Sequence, residues 1–129
     1  MGKGRRSVSY QRSITVHRRE WKESLPDACM YCKSELPPMK LDVHEIERKS
    51  HSPNRWWKIT DHGRHVNGLK LCRKCHSEHF DTMPHAKQLA VKLIMDPDNF
   101  DLDAWLSIKP RPSTYVTMSE VMEYVKDLI

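Results

Sequence analysis

Cysteine and histidine are the residues of this chain whose types and spacing could do chemistry. The sequence contains eight histidines and four cysteines, and the cysteines form two pairs with two residues between the thiols. Zn²⁺ favours four thiolates in a tetrahedron, and a two-residue spacer lets one tight turn present two sulfurs. Disulfides or a redox pair are the alternatives, but no βαβ pattern surrounds either pair. We therefore expect a structural zinc site formed by Cys29, Cys32, Cys72 and Cys75.

Histidines are concentrated in the middle of the chain, where seven of the eight lie between residues 44 and 85. His44 and Glu45 end a stretch of alternating polarity, and His76 and His79 follow the last cysteine at a helical spacing. Imidazoles on a strand and on a facing helix could hold one divalent ion with open positions. Such an ion polarises a phosphoryl oxygen while a nearby base deprotonates water, so the pattern is typical of phosphate hydrolysis.

Two short strands and a helix are needed to bring these residues together. Alternating polarity predicts a strand over residues 41–46, in which Asp42 and His44 face one side and Glu45 faces the other. A turn leads into a second predicted strand that ends at Cys72, and the chain then continues as a helix. We therefore expect a β-hairpin followed by a helix, with one cysteine pair at their junction.

The segments on both sides of this region are interpreted as an arm and a helical extension. Residues 1–25 read as a basic N-terminal arm that ends in a short helix over 17–25, and residues 83–129 read as C-terminal helices whose apolar stripes are core. The fold class is therefore α+β, with a zinc-stapled β-hairpin plus helix over residues 26–82. The C-terminal helices are predicted to begin at Pro84, around Leu102 and at a capping box from Thr117 to Glu120.

Length and hydropathy limit the classes of protein to which the chain can belong. Its 129 residues suit a single domain. No apolar run approaches the roughly 18 residues that a membrane span needs, and the N-terminus lacks the apolar stretch of a secretory signal. We therefore expect a cytoplasmic protein without a membrane partner, in a compartment where paired thiols are more often metal ligands than disulfides.

Charge is distributed unevenly along the chain, whose net charge is +5. Residues 1–22 carry seven basic groups and one acidic group, whereas residues 96–129 carry three basic and seven acidic groups. A basic arm fits a polyanion such as DNA, although a solubilising arm would have the same composition. Phosphate contacts would give salt-sensitive affinity with little sequence preference. The candidate DNA-binding residues are Arg5, Arg6, Arg12, Arg18, Arg19, Arg48, Lys49, Arg55 and Lys58.

The order of these motifs resembles the HNH family of nucleases, which share a ββα-metal motif. The family pattern runs C-x-x-C, then a strand ending in a Val-(Asp/His)-His-Ile-like stretch, then Asn-Leu-x-x-Leu-Cys-x-x-Cys-(His/Asn). This chain has the first cysteine pair, then Val43-His44-Glu45-Ile46, then Asn67-Gly68-Leu69-Lys70-Leu71-Cys72-Arg73-Lys74-Cys75-His76. The resemblance covers about residues 29–80, and the Val-His-Glu-Ile version looks most like small HNH proteins carried by bacteriophages.

The resemblance implies a metal-dependent endonuclease that hydrolyses DNA phosphodiester bonds. A β-hairpin and a helix would surround a catalytic ion, either Mg²⁺ or a transition metal. His76 would hold this ion, with His79 and His44 as further candidate ligands. Asn67 would brace the hairpin loop near the catalytic base, and the four cysteines would form a separate structural zinc site.

The identity of the general base stays open between two neighbouring residues. Aligned on Val43 and Ile46, His44 falls at the family's metal-ligand position and Glu45 at that of the base. Either the carboxylate of Glu45 is the base, or a one-residue shift gives that role to His44. We favour His44, because imidazole titrates near neutral pH. A degenerate site would make the chain a non-catalytic zinc-knuckle DNA-binding or adaptor protein, for example with a phage packaging partner.

Overall fold

The computed structural model describes residues 8–48, 66–108 and 116–129, and of these only the backbone for residues 8–14. The described residues combine a two-stranded antiparallel sheet with five α-helices, which agrees with the α+β class. None of these helices has the length and apolar character needed to cross a membrane. In chain order the elements are α1 (Val8–Ser24), β1 (Leu41–Glu45), β2 (Gly68–Cys72), α2 (Arg73–Cys75), α3 (His85–Met95), α4 (Leu102–Ser107) and α5 (Met118–Leu128).

The predicted hairpin and the helix that follows it are present. In the antiparallel register, Leu41 lies opposite Cys72 and Glu45 lies opposite Gly68. The helix α2 continues directly into a π-helical turn over His76–Phe80. Every residue of β2 is buried, so this strand is covered by other elements on both of its faces. Asp42, Val43 and Glu45 of β1 are partly exposed, so the side chains of β1 rest on a buried neighbouring strand.

The N-terminal segment differs from the prediction of an arm with a short helix over 17–25. One helix, α1, begins at Val8 and ends at Ser24. The sequence contains no glycine or proline between Arg5 and Leu25, so nothing interrupts the helix before Pro26.

A buried lysine of β2 fastens the end of α1 to the hairpin. Lys70 is 1% exposed, and its ammonium donates to the backbone carbonyls of Lys22 (2.8 Å) and Leu25 (3.1 Å). It also donates to Asp27 Oδ1 at 3.1 Å. The last carbonyls of a helix have no partners within the helix, so a cation at this position stabilises the helix end.

The C-terminal helices agree with the prediction in position, and only partly in burial. Thr117 and Glu120 form the expected capping box at the start of α5, which packs against α3. Val121 is fully buried, but Met118 and Met122 are about two-fifths exposed. The apolar stripe of α5 is therefore wider than the surface that it packs against, and only part of it is core.

A buried ion pair joins α1 to the C-terminal helices. Lys92 Nζ donates to Asp96 Oδ2 at 2.7 Å, and the same oxygen accepts a hydrogen bond of 2.8 Å from Trp21 Nε1. Lys92 Nζ also lies 4.6 Å from the centroid of the Trp21 ring. Burial lowers the pKa of Lys92 to about 8, and the carboxylate of Asp96 opposes this shift. The charged form of Lys92 therefore depends on Asp96.

Replacement of Asp96 by alanine is expected to lower the free energy of unfolding by about 3–5 kcal/mol, because it leaves a buried ammonium without its counter-ion. Urea denaturation of the zinc-loaded protein would measure the loss. The matched control is Asp127→Ala, which removes an exposed carboxylate near the end of α5 and should change stability by about 0.5 kcal/mol or less. A loss below about 1 kcal/mol for Asp96→Ala would show that the ion pair contributes little.

Candidate functional site

Four thiols lie close together where the turn that carries Cys29 and Cys32, the first knuckle, meets the end of the hairpin. The turn that carries Cys72 and Cys75 is the second knuckle. The four sulfur atoms all lie within 4.8 Å of one another, and they belong to Cys29, Cys32, Cys72 and Cys75. In the described parts of the chain they are the only group of three or more such ligand atoms placed so closely. The four cysteines are therefore close enough to bind a metal ion, as their spacing predicted.

Backbone hydrogen bonds shape both knuckles. In the first, Lys33 N donates to Cys29 O at 2.9 Å, and Lys33 adopts a left-handed conformation with φ of 66° that closes the turn. In the second, Cys75 N donates to Cys72 Sγ at 3.4 Å as the strand passes into α2. Tyr31 N donates to the sulfur two residues before it, Cys29 Sγ, also at 3.4 Å. Amide donors of this kind stabilise thiolates, which are the form that binds metal.

The thiols differ in their surroundings. Cys29, Cys72 and Cys75 are buried, whereas Cys32 is exposed. Hydrogen bonds from the side chain and backbone of Ser34 lower the pKa of Cys32 to about 6. Burial raises the pKa of Cys72 and of Cys75. A set of four thiols, of which one ionises readily and the others are shielded from water, suits a closed site for a thiophilic cation.

A second cluster lies on one face of β1. Asp42 and His44 point to the same side of the strand and meet His76 at the start of the π-helical turn. The His44 and His76 rings are in edge-to-face contact, with centroids 5.0 Å apart. His76 Nδ1 and Asp42 Oδ2 are hydrogen-bonded at 3.2 Å. The structure therefore brings together the strand histidine and the helix histidine that the motif predicted.

The hydrogen bond between Asp42 and His76 has a chemical consequence. A carboxylate that holds one ring nitrogen of a histidine fixes the ring and leaves the other nitrogen available for a metal. The bond to Asp42 therefore leaves Nε2 as the nitrogen of His76 that could bind a metal ion, although we had not selected Asp42 as a site residue. The alternation along β1 contained the signal, since it placed Asp42 and His44 on the same face.

His44 is buried and held on several sides. It is 5% exposed, its ring lies 5.5 Å from that of Phe80, and its Nε2 is 2.7 Å from Gln88 Oε1. Burial lowers the pKa of His44, which favours the neutral ring. A neutral imidazole is the form that can accept a proton. Gln88 belongs to α3, and no sequence pattern indicated its presence here.

Glu45, the alternative base, lies on the opposite face of β1. Its Oε1 accepts a bond of 2.8 Å from Arg18 Nη2, which connects the strand to α1. Because successive side chains of a strand alternate between faces, Glu45 cannot lie beside His44. The geometry thus favours His44 for a role at the cluster with His76.

Asn67 closes the base of the segment that joins the two strands. It is fully buried, its Oδ1 accepts from Glu47 N (2.9 Å), and its Nδ2 donates to Glu47 O (3.0 Å). Its backbone carbonyl also accepts from Ile46 N at 2.9 Å. These three bonds lock the chain directly after β1 to the chain directly before β2.

His79 does not join His44 and His76. Its ring contacts Tyr31, with centroids 5.7 Å apart, and it lines a groove beside Cys32 and Cys75. The expectation of a shared helix face assumed a regular α-helix, in which residues three apart are neighbours. The π-helical turn over His76–Phe80 is wider, so residues three apart point in different directions.

Only some of the candidate DNA-binding residues lie in the parts of the chain that the structure describes. Among those that the structure describes, Arg18 is paired with Glu45, Arg19 is exposed, and Arg48 is half exposed with Nη2 3.8 Å from Asp81 Oδ1. For Arg12 only the backbone is described. Outside the described residues lie Arg5, Arg6, Lys49, Arg55 and Lys58.

Three further cations, which no sequence motif indicated, line the groove beside the thiols. The groove has a volume of about 500 Å³, and its lining includes Lys40, Arg73 and Lys74 but no carboxylate. Arg73 Nη2 donates to Met39 O at 2.8 Å, and its Nε lies 3.6 Å from Asp42 Oδ1. This positive groove therefore extends to the edge of the cluster with His76.

Comparison of the chain with known proteins gave no match to a family model, to a curated protein or to a solved structure. The functional inference therefore depends on the residues and on the geometry described above.

Proposed function

We propose that the chain is a metal-dependent DNA endonuclease that hydrolyses phosphodiester bonds at an HNH-like site. The observation that carries this proposal is the contact between His44 on β1 and His76 directly after α2, at 5.0 Å between ring centroids. A metal ligand on the helix and a proton acceptor on the hairpin are what hydrolysis of a phosphodiester requires. The order of motifs along the chain supports the same function.

The four cysteines are proposed to hold a structural zinc ion. Thiolate sulfur is the preferred donor for Zn²⁺, and four sulfurs leave no open position for a substrate. The cluster joins the knuckle of Cys29 and Cys32 to the junction between β2 and α2. An ion there would fix the helix that carries His76 relative to the strand that carries His44.

The proposed division of roles follows from the hydrogen bonds. His76 would hold a divalent ion such as Mg²⁺ or Mn²⁺ through Nε2, because Nδ1 is bonded to Asp42. Such an ion, when bound, stabilises negative charge on the phosphate and on the leaving oxygen. His44 would accept the proton of the attacking water, since burial keeps its ring neutral. Asp42 orients His76, and Asn67 holds the hairpin base in place.

The positive groove offers a path for the DNA backbone. Lys40, Arg73 and Lys74 are exposed, and Arg73 reaches the carboxylate of Asp42. Phosphates bound along these cations would lead a strand toward His76, with affinity that falls as salt rises. Arg19 and the basic residues of the N-terminal end would add contacts of the same kind.

The proposal predicts that zinc-loaded protein nicks or linearises supercoiled plasmid when Mg²⁺ or Mn²⁺ is added, and leaves it intact with zinc alone. Agarose gels of a time course, with a parallel gel-retardation assay, would separate the two candidate functions. Retardation without cleavage under any of these ions would overturn the enzyme and support the zinc-knuckle DNA-binding or adaptor protein. Neither retardation nor cleavage would exclude both functions.

A further inference from the structure

We propose that Gln88 is a positioning residue that fixes the tautomer and orientation of His44, so that the helical extension completes the site. The hydrogen bonds alone carry the structural part of this inference. Its consequence for cleavage rests on the proposed nuclease function. Gln88 is 4% exposed and lies in the first half of α3, 44 residues beyond His44.

The orientation of the Gln88 amide is determined by two backbone carbonyls. Its Nε2 donates to Met83 O at 2.8 Å and to Phe80 O at 3.3 Å. A carbonyl oxygen only accepts hydrogen bonds, so the amide nitrogen must face these two groups. The amide oxygen then faces His44, and this assignment follows from the partners.

The amide in turn determines which nitrogen of His44 carries the proton. Gln88 Oε1 can only accept, so Nε2 of His44, 2.7 Å away, must donate. The neutral ring of His44 therefore keeps its lone pair on Nδ1. The described residues offer no hydrogen-bond partner to that nitrogen. A base must present a lone pair to water, and this arrangement reserves Nδ1 for that purpose.

The ring of His44 is also prevented from flipping. Contacts with Phe80 at 5.5 Å and with His76 at 5.0 Å, measured between centroids, enclose it. A flipped ring would bring a carbon against the buried Gln88 oxygen and leave that acceptor unsatisfied, which is energetically unfavourable. Burial of both side chains means that water cannot replace the lost partner.

The carbonyls that hold Gln88 come from the end of the π-helical turn and from the segment that leads to α3. Phe80 is the last residue of that turn, and Met83 lies two residues before the start of α3 at His85. One glutamine therefore links the hairpin, the π-helical turn and α3. Residues beyond 82, which we had interpreted only as a helical extension, thus contribute to the candidate site.

The test compares wild type with Gln88→Met, a variant of similar size that cannot hydrogen-bond. Long-range ¹⁵N–¹H NMR of zinc-loaded protein labelled at histidine should show His44 as the pure Nε2–H tautomer in wild type and as a mixture in Gln88→Met. The His44 signals are assigned by their loss in His44→Ala. Cleavage by Gln88→Met should fall about 10- to 100-fold in kcat with KM for DNA unchanged.

Lys87→Met, at the neighbouring position of α3, is the control and should leave the His44 tautomer and kcat unchanged. An Nδ1–H tautomer in wild type would overturn the inference whether or not the variant folds. A pure Nε2–H tautomer that persists in Gln88→Met would overturn it as well. Because the tautomer is measured without DNA, absence of cleavage by wild type would reject the proposed function and leave this inference standing.

Discussion

Replacement of Cys75 by serine is expected to abolish zinc binding and to unfold the protein. Cys75 is 4% exposed and lies at the junction between the hairpin and the turn that carries His76. Binding of a structural zinc ion contributes about 10–16 kcal/mol in small domains, whereas a typical domain is stable by about 5–15 kcal/mol. The free energy lost with zinc is therefore as large as the total stability of a typical domain, and the hydrophobic core alone would not keep the chain folded.

Elemental analysis and thermal melts followed by circular dichroism would measure both effects. We expect about one zinc ion per wild-type chain and none in Cys75→Ser. Ser77→Ala, on the exposed side of the same turn, is the control and should retain zinc and melt within about 4–8 °C of wild type. A cooperative, wild-type-like melt for Cys75→Ser, or wild-type protein without bound metal, would show that the cysteines have no structural metal.

His44→Ala is expected to lower the rate of plasmid cleavage by about 10²- to 10⁴-fold, the contribution of a general base. Glu45→Gln should stay within a few-fold of wild type. The Glu45 side chain faces Arg18 on the other side of β1, and a partly exposed ion pair of this kind contributes about 0–1 kcal/mol. The two variants therefore separate the candidate bases that the sequence left open.

Rates of conversion of supercoiled to nicked plasmid would be measured at saturating Mg²⁺ for both variants, purified in parallel. Zinc content and DNA affinity should match wild type, which shows that His44→Ala has lost the chemical step and has kept its fold. The opposite pattern, with cleavage lost in Glu45→Gln and kept in His44→Ala, would assign the base to Glu45. Equal rates for all three proteins would show that neither His44 nor Glu45 is the base.

The parts of the site that follow from local spacing could be predicted from sequence. Two cysteine pairs with a fixed spacer predicted a thiol cluster, and alternation over residues 41–46 predicted β1 and the face that carries His44. Such patterns predict structure because a strand or a tight turn allows only a few relative orientations of neighbouring side chains. The same alternation pointed to Asp42, whose importance became clear only beside His76.

Other parts depend on contacts between distant segments, which leave no local signal. Gln88 reaches His44 across 44 positions of the chain, and Lys70 is buried because it finds the end of α1. A lysine in a strand normally indicates an exposed face, so its burial contradicts the usual pattern. His79 lies apart from His76 for a different reason, because a π-helical turn cannot be distinguished from an α-helix by spacing alone.

The separation of roles on the two sides of β1 limits how this segment can change over evolution. Substitutions at Glu45 alter an attachment to α1, whereas those at His44 alter the cluster with His76 and the hydrogen bond to Gln88. A codon inserted or deleted within the strand would rotate every later side chain to the other side, presenting the carboxylate to His76 and the imidazole to Arg18. Related sequences should therefore vary in residue type at position 45, yet conserve His44 and the number of residues between Leu41 and His44.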